Sequence, residues 1–448
     1  MSTLHAWVAY LAQATLDVIA ALLGTYYSKK YAAIARRLGL PRMASSPRRG
    51  FIVIQIDGLS HPHLLSALDL GYAPYLQRLL RRGEYLLRRW NTGLPCTTPA
   101  VQAGIMFGNN DDIPAFRWYD KATGEPVLCK LPKTAKAIQD RVSAGRPGIL
   151  TGGSSFMNMF DGDASLSMFT LGAWNRKRFF ESVRGMGFFL LFALNPFRSF
   201  KTLALAIWEY LTDLVQRTSA FLRRRNPRPL ERNFPFLRVM ANVVFREIQT
   251  FAVMVDIYRG MPAIYTTYYG YDELAHHYGP LAKPTLRALH AIDARIRQID
   301  LLRRLALTRE YDLYILSDHG ITSAVPFKLE YGQTLGELIR DLVGGAALLN
   351  EPSSAEQRES PQEMFLADEL AAIEANIRPP LSYTVRKTRK LVIDRIRQNH
   401  EEILDWDPLR RTDIVVRNSG SLAHIYFNAL SKQMDLSEIT ALYAHLVS

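Results

Sequence analysis

The chain has 448 residues, 48% hydrophobic and 22% charged, which is enough apolar material for one large domain or two to three smaller ones and argues against wholesale disorder. Its net charge of +13 favours polyanionic partners, such as nucleic acid, an anionic membrane surface or phosphorylated substrates. Two cysteines, Cys96 and Cys129, exclude a disulfide framework and a cysteine-based zinc site; one bridge between them stays open, and a reducing compartment suits them best.

From the N-terminus, Leu4, Trp7, Val8, Leu11, Ala14, Val18, Ile19, Leu22 and Tyr26 recur at helical spacing. Residues 4–26 read as an amphipathic helix that docks on the protein or lies in a membrane interface. Gln13 and Asp17 interrupt it, and no Lys or Arg precedes it as in a secretory signal. No apolar run approaches the ~20 residues that span a bilayer. The expected location is cytoplasmic, peripheral on the membrane. Pro41, Ser45, Ser46, Pro47, Arg48, Arg49 and Gly50 form a linker, so an N-terminal helix with its basic linker occupies 1–47.

FIVIQIDG at 51–58 is an apolar, β-branched run that ends in Asp-Gly, a buried strand delivering Asp57 to its carboxyl end. Helical periodicity follows from Leu64 to Leu80. LPCTTPAVQAGIMFG at 94–108 places Thr97 and Thr98 ahead of a small-residue helix. Residues 173–250 change character: Arg176, Lys177, Arg178, Arg184 and the triplet Arg223, Arg224, Arg225 accompany FFLLFAL (188–194) and LALAIWEYLTDLV (203–215). Helices with basic borders around apolar faces suit an anionic lipid surface. The same pattern also fits an insertion packed on the core. Bulky aliphatics rather than stacking platforms separate the basic residues, which disfavours nucleic acid. MPAIYTTYYGYDELAHHYGP (261–280) reads as a strand and a charged loop, Leu286 to Leu305 as a helix, and YDLYILSDHG (311–320) as a strand ending in Asp318 and His319. Residues 351–363 form a polar loop.

Alternating strands and helices predict an α/β fold, a three-layer α/β/α sandwich with a mostly parallel central sheet and a helical insertion. Its main domain is split into 48–172 and 251–448 by the basic insertion at 173–250. Ligands bind at the carboxyl ends of such strands, where Asp57, Asp272 and the Asp318-His319 pair fall. Asp272 and His276 are four residues apart, so on a helix both can hold one metal ion while His277 faces elsewhere. A threonine hydroxyl at a helix N-terminus beside a metal can attack phosphorus, although Thr97 or Thr98 reads equally well as a helix cap.

The order D-G, P-x-x-T, D-x-x-x-H-x-x-G-P and S-D-H-G resembles the type I phosphodiesterase/nucleotide pyrophosphatase branch of the alkaline phosphatase superfamily. The resemblance covers 50–172 and 251–330 and fades over the C-terminal third. It implies an alkaline phosphatase-like fold and two divalent ions, zinc with manganese or iron as alternatives. Asp57, Thr98, Asp318 and His319 match the set that holds one ion; Asp272 and His276 match most of the second set. The nearest match to the last metal histidine is His424, in SGSLAHIYF. The spacings from Pro95 and to Gly108 select Thr98 over Thr97 as nucleophile. Where the family carries a phosphate-binding Asn this chain has none, and Arg117 takes that role. Asn109, Asn110 and GGSSFMNMFDGD (152–163) are ordinary loop candidates.

The function these readings imply is metal-dependent hydrolysis of a phosphoric ester, a phosphodiesterase or pyrophosphatase acting on a small phosphate ester or a lipid head group. The alternatives are a phosphomonoesterase, a phosphoryl-type transferase on lipid head groups, and a non-catalytic membrane-surface binding protein. Contact with an anionic membrane is expected through 173–250 and 4–26. Oligomeric state is not legible.

Overall fold

The computed structural model describes residues 48–173, 196–222, 238–304, 308–344, 348–351, 370–371, 374, 379, 381–399 and 412–447. The expected helix at 4–26, the run FFLLFAL and most of the polar segment from 351 lie outside them.

A five-stranded parallel sheet organises the chain, in the order β5 (Leu166–Met168), β4 (Ser154–Phe156), β6 (Ala263–Tyr268), β1 (Gly50–Ile56) and β7 (Tyr311–Leu316). β1 is flanked on both sides, with Ile56 opposite Tyr268 and Gln55 opposite Leu316, so it needs apolar residues on both faces. Ile52, Val53, Ile54 and Ile56 are all buried, each worth ~1.5–3 kcal/mol of apolar transfer. The three strands predicted to deliver acidic residues are thus the three neighbours β6, β1 and β7, and their carboxyl ends align by register.

Parallel neighbours require crossovers, and helices supply them. The helical pattern at Leu64–Leu80 resolves into α1 (His61–Asp69) and α2 (Pro74–Arg81), because Gly71, with a φ of 75°, turns the chain left-handed past the end of α1 and Pro74 opens a new helix. α3 (Thr98–Phe107) starts at Thr98 and stops at Gly108, whose φ of 68° is left-handed. α4 (Pro132–Ser143) follows, then α5 (Pro196–Leu222), α6 (Arg246–Arg259), α7 (Gly270–Tyr278) and α8 (Lys283–Arg303). The alternation of β6 separates the layers. Thr267 faces α3 through Gln102, while Tyr268 faces α6 through Thr250. The fold is the expected α/β/α sandwich of the alkaline phosphatase type.

Within the basic segment, α5 is helical as read. A π-helical turn at Met240–Phe245 leads into α6, which runs through the expected boundary at 250 and is buried along most of its length. Residues from about 242 onward therefore pack as part of the core layer; Ile248, Phe251, Ala252 and Val253 face the sheet's core. Among the described residues no helix is long and apolar enough to cross a membrane. Cys96 and Cys129 are both free thiols.

A hairpin of β2 (Arg117–Asp120) and β3 (Glu125–Leu128) joins the main body to a second small sheet, β8 (Leu349–Asn350), β9 (Ile414–Ser419) and β10 (Leu422–Phe427). That sheet has its own core of Ile339, Ile414, Val416, Phe427 and Met434. The Lys121 ammonium donates to the carbonyls of Phe427 (2.7 Å), Leu430 (2.5 Å) and Lys432 (3.0 Å), and Phe116 N donates to Ser419 Oγ at 3.1 Å. These bonds fix the hairpin against the C-terminal sheet.

Candidate active site

The sheet brings four of the seven sequence-predicted metal-site residues into one compact group. Asp57 leaves β1, Asp318 and His319 leave β7, and Thr98 opens α3 above the sheet's edge. Thr98 Oγ1 lies 3.3 Å from His319 Nε2 and 3.5 Å from Asp57 Oδ1. His319 Nε2 is 3.5 Å from Asp57 Oδ1 and 3.7 Å from Asp318 Oδ2. The Gly58 amide donates to Asp318 Oδ1 at 3.4 Å. Thr98 sits at the first helical position and is 1% exposed, whereas Thr97 occupies the N-cap without capping through its side chain. The hydroxyl that faces the acidic group is therefore that of Thr98.

Asp272 and His276 come from α7, one turn apart as read, with His276 Nε2 3.3 Å from Asp272 Oδ2. Asp272 reaches over the β1 turn. A Cβ on Gly58 would stand 2.3 Å from Asp272 Oδ1, and Gly58 has a φ of +72°, so the Asp-Gly of the first motif is needed twice over, for close approach and for the left-handed turn. Donor atoms of Asp57, Asp272 and His319 all lie within 4.8 Å of one another. His277 turns away and stacks near Tyr278.

Electrostatics mark the same spot. Burial, then the Asp318 and Asp272 carboxylates, push the Asp57 carboxyl well above its ordinary range. Burial acts on Asp272 in the same sense and most strongly, but His276, His319 and Lys130 together outweigh it and the carboxyl lies below its usual value. Asp272 in turn raises His276 to about 9, although the imidazole is 60% exposed and water screens part of that attraction. For His319 burial disfavours the charged ring, yet Asp318 and Asp272 raise it. His319 Nδ1 is 3.1 Å from the Gly320 carbonyl, which can only accept, so Nδ1 carries a proton; the carboxylates beside Nε2 favour a second proton there, which a bound cation would displace.

The donor set fits a divalent cation. Asp272 Oδ1 and Asp318 Oδ2 are buried without any hydrogen-bond partner, and among the described residues no Lys or Arg forms an ion pair with Asp57, Asp272 or Asp318. Buried carboxylates left so are costly unless a cation joins them. Oxygen and imidazole donors without thiolate suit zinc, manganese or iron.

Arg117 and His424 lie on strands of the two smaller sheets. Arg117 is buried on β2 at 4% exposure, and His424 lies on β10 opposite Arg417. Tyr119, on the Arg117 face of β2, meets Tyr426, two residues from His424, with ring centroids 5.6 Å apart. Burial lowers the His424 pKa, and its buried Nδ1 makes no hydrogen bond. His424 forms no bond to the Asp57 group. Asn109 is a loop residue bonded to the Val142 carbonyl at 3.0 Å.

Three features escaped sequence reading. Asn158 belongs to a buried network beneath the site: Gln102 Nε2 donates to Gln55 Oε1 (3.1 Å), Thr267 Oγ1 (3.1 Å) and Asn158 Oδ1 (3.4 Å), while Met159 N donates to Gln102 Oε1 at 2.8 Å. A cavity of 390 Å³ is lined by Arg89, Trp90, Asn91 and Thr92, and Trp90 Nε1 donates to the Ser317 carbonyl beside Asp318 at 3.1 Å. Lys130 adds positive potential at Asp272 and His276. The tract RRWNTG just ahead of LPCTT was the only available hint, since the other contacts are made across the fold.

Comparison with curated proteins and with solved structures returns no match. The family model described as type I phosphodiesterase / nucleotide pyrophosphatase matches residues 51–434, which includes every motif strand, Thr98 and the β10 histidine. A match over most of the chain, with the acidic edge built as above, makes this protein a member of that family and hence a hydrolase of the alkaline phosphatase superfamily.

Proposed function

We propose that the protein cleaves phosphodiesters, or the phosphoanhydride link of a pyrophosphate, using Thr98 as nucleophile. The observation that carries this reading is the position of Thr98 Oγ1 within 3.5 Å of both Asp57 Oδ1 and His319 Nε2, in a buried acidic group with which no Lys or Arg forms an ion pair among the described residues. Asp57, Thr98, Asp318 and His319 would hold one divalent ion, and Asp272 and His276, completed by His424, a second. Two such ions, zinc first, supply the positive charge that favours the threonine alkoxide and offsets charge on the phosphoryl oxygens.

The rest is the work of the chain. Thr98 Oγ forms a bond to phosphorus as the ester oxygen of the leaving group departs, giving a phosphothreonine and an alcohol or phosphate. Asp57 Oδ1 is the acceptor within reach of the hydroxyl proton. Water then cleaves the phosphothreonine, releasing the monoester and restoring the hydroxyl. The free amides in the first turn of α3 face the developing negative charge, and the Arg117 guanidinium binds phosphate oxygens in bidentate fashion. The hydrogen bond from His319 Nδ1 to Gly320 keeps the ring's orientation through the cycle.

The test is turnover of bis(p-nitrophenyl) phosphate and of p-nitrophenyl phosphate by protein loaded with zinc, manganese or iron. Preference for the diester is expected. Preference for the monoester would replace this reading with the phosphomonoesterase one, and no turnover with any of the three metals would end both.

A further inference from the structure

We propose that the exposed face of α5 is a docking surface for an anionic lipid bilayer. α5 is 27 residues long, with Thr202 buried on its inner side, and its outward side is rich in large apolar groups. Phe200 is 73% exposed, Trp208 69% and Val215 67%; Leu203, Ile207 and Leu211 are also exposed. At helical spacing these positions, with Tyr210 and Leu214, share a single arc of about half the circumference and cover roughly 22 Å of helix length. No Asp, Glu, Lys or Arg falls within that arc. A continuous apolar stripe of this kind is rarely left in water without a partner.

Charge selects the occupant. The Glu209 carboxylate is held on the inner side by Arg238 Nε at 2.5 Å, away from the apolar arc. In sequence the helix is bracketed by basic tracts, Arg176, Lys177, Arg178 before it and Arg223, Arg224, Arg225 after it. An apolar stripe on a chain of net charge +13, with basic tracts on either side of it in sequence, matches the acyl and head-group regions of an anionic leaflet; a second copy of so positive a chain would be repelled. Trp208 and Tyr210 have the amphipathic rings that settle at the head-group level. The surface is also tied to the site. Arg238 Nη1 donates to the Tyr278 hydroxyl at 3.3 Å, and Tyr278 ends α7, which carries Asp272 and His276.

The experiment is co-sedimentation of the full chain with vesicles of phosphatidylcholine mixed with phosphatidylserine, against phosphatidylcholine alone. Binding is expected to the mixed vesicles and to weaken with added salt. The double variant Ile207→Glu, Leu211→Glu is expected to lower partitioning by at least about tenfold. Its thermal unfolding midpoint should stay that of the wild type, because both side chains are exposed. Trp208→Phe should reduce the blue shift of tryptophan emission on vesicle binding. Wild-type protein that ignores anionic vesicles, or a double Glu variant that binds them as well as wild type, overturns the proposal. So does a wild-type dimer that the double variant converts to monomer without any vesicle binding, since the face would then join two copies. None of these readouts depends on the proposed hydrolysis.

Discussion

The carboxyl edge of the central sheet and the layer formed by α6 and α8 both bury acidic side chains, yet they treat the charge in opposite ways. In the helical layer each acid is compensated. Glu247 meets Arg295 at 3.1 Å, Asp256 meets Arg259 at 2.8 Å, and Asp300 takes Arg303 at 2.6 Å and Arg304 at 2.8 Å. Asp293 accepts the Tyr75 and Leu76 amides at the start of α2, at 2.8 and 2.9 Å. At the sheet edge, among the described residues, Asp57, Asp272 and Asp318 form no ion pair with Lys or Arg; they meet one another, two histidines, the Thr98 hydroxyl and the Gly58 amide, and two of their oxygens have no hydrogen-bond partner. The same residue type is paired with arginine or backbone amides in the helical layer and left without Lys or Arg at the sheet edge, where its donor set fits a cation.

The strongest way to test that contrast removes the hydroxyl but not the charge. Thr98→Ala should lower diester turnover at least about a thousandfold while bound metal, measured by elemental analysis, stays unchanged, because the carboxylates and His319 remain. Turnover near the wild-type rate would show that another group attacks. The matching experiment on the helical side is Asp300→Ala. It strands Arg303, Arg304 and the Tyr75 hydroxyl, so chemical denaturation should report a loss of about 3–5 kcal/mol, with kcat on the small diester little changed. An equal effect on turnover would erase the distinction between the two regions.

Much of the site was legible because strands advertise their ends. FIVIQIDG is a buried β-branched run and YDLYILSDHG an apolar, partly exposed edge strand; both turn polar at their carboxyl ends, and register does the rest. Asp272 and His276 were legible through helical spacing alone. What stayed hidden depends on packing between distant segments. The break at Gly71 and the continuation of α6 through residue 250 follow from local geometry and burial that a hydropathy pattern averages out. Gln55 and Gln102 are both fully buried, with the Gln102 amide donating from α3 to Gln55 Oε1 on β1, a pairing between distant segments that the sequence does not display. Trp90 was hidden for the same reason, since its partner is the Ser317 carbonyl.

Gln102 sharpens the comparison from below the site. It lies one turn after Thr98 on α3 and fixes that helix to β1, β6 and the Met159 loop through four hydrogen bonds. Gln102→Leu keeps the volume and removes the bonds. The expected result is a kcat lowered roughly tenfold with KM nearly constant, as the hydroxyl loses its alignment rather than its chemistry. Gln102→Glu, which keeps the acceptor for Met159 N, should recover part of the loss. Equal falls for both variants, tracking unfolding, would reduce Gln102 to a core residue.

The smallest effect is the most direct on charge. Asp57→Asn replaces a buried carboxylate that stands beside Asp318 and Asp272 with a neutral group of the same shape. In chelator-treated protein the substitution removes like-charge repulsion, so the thermal midpoint should rise by a few degrees. In metal-loaded protein it removes a ligand, so the midpoint should fall and the stabilisation gained on adding zinc should shrink. The opposite signs are the point of the measurement. Asp300 has arginines on two sides, and its replacement should destabilise in either medium. If Asp57→Asn also destabilised the chelated protein, its charge would be paired by the fold itself, and the sheet edge would differ from the helical layer only in position.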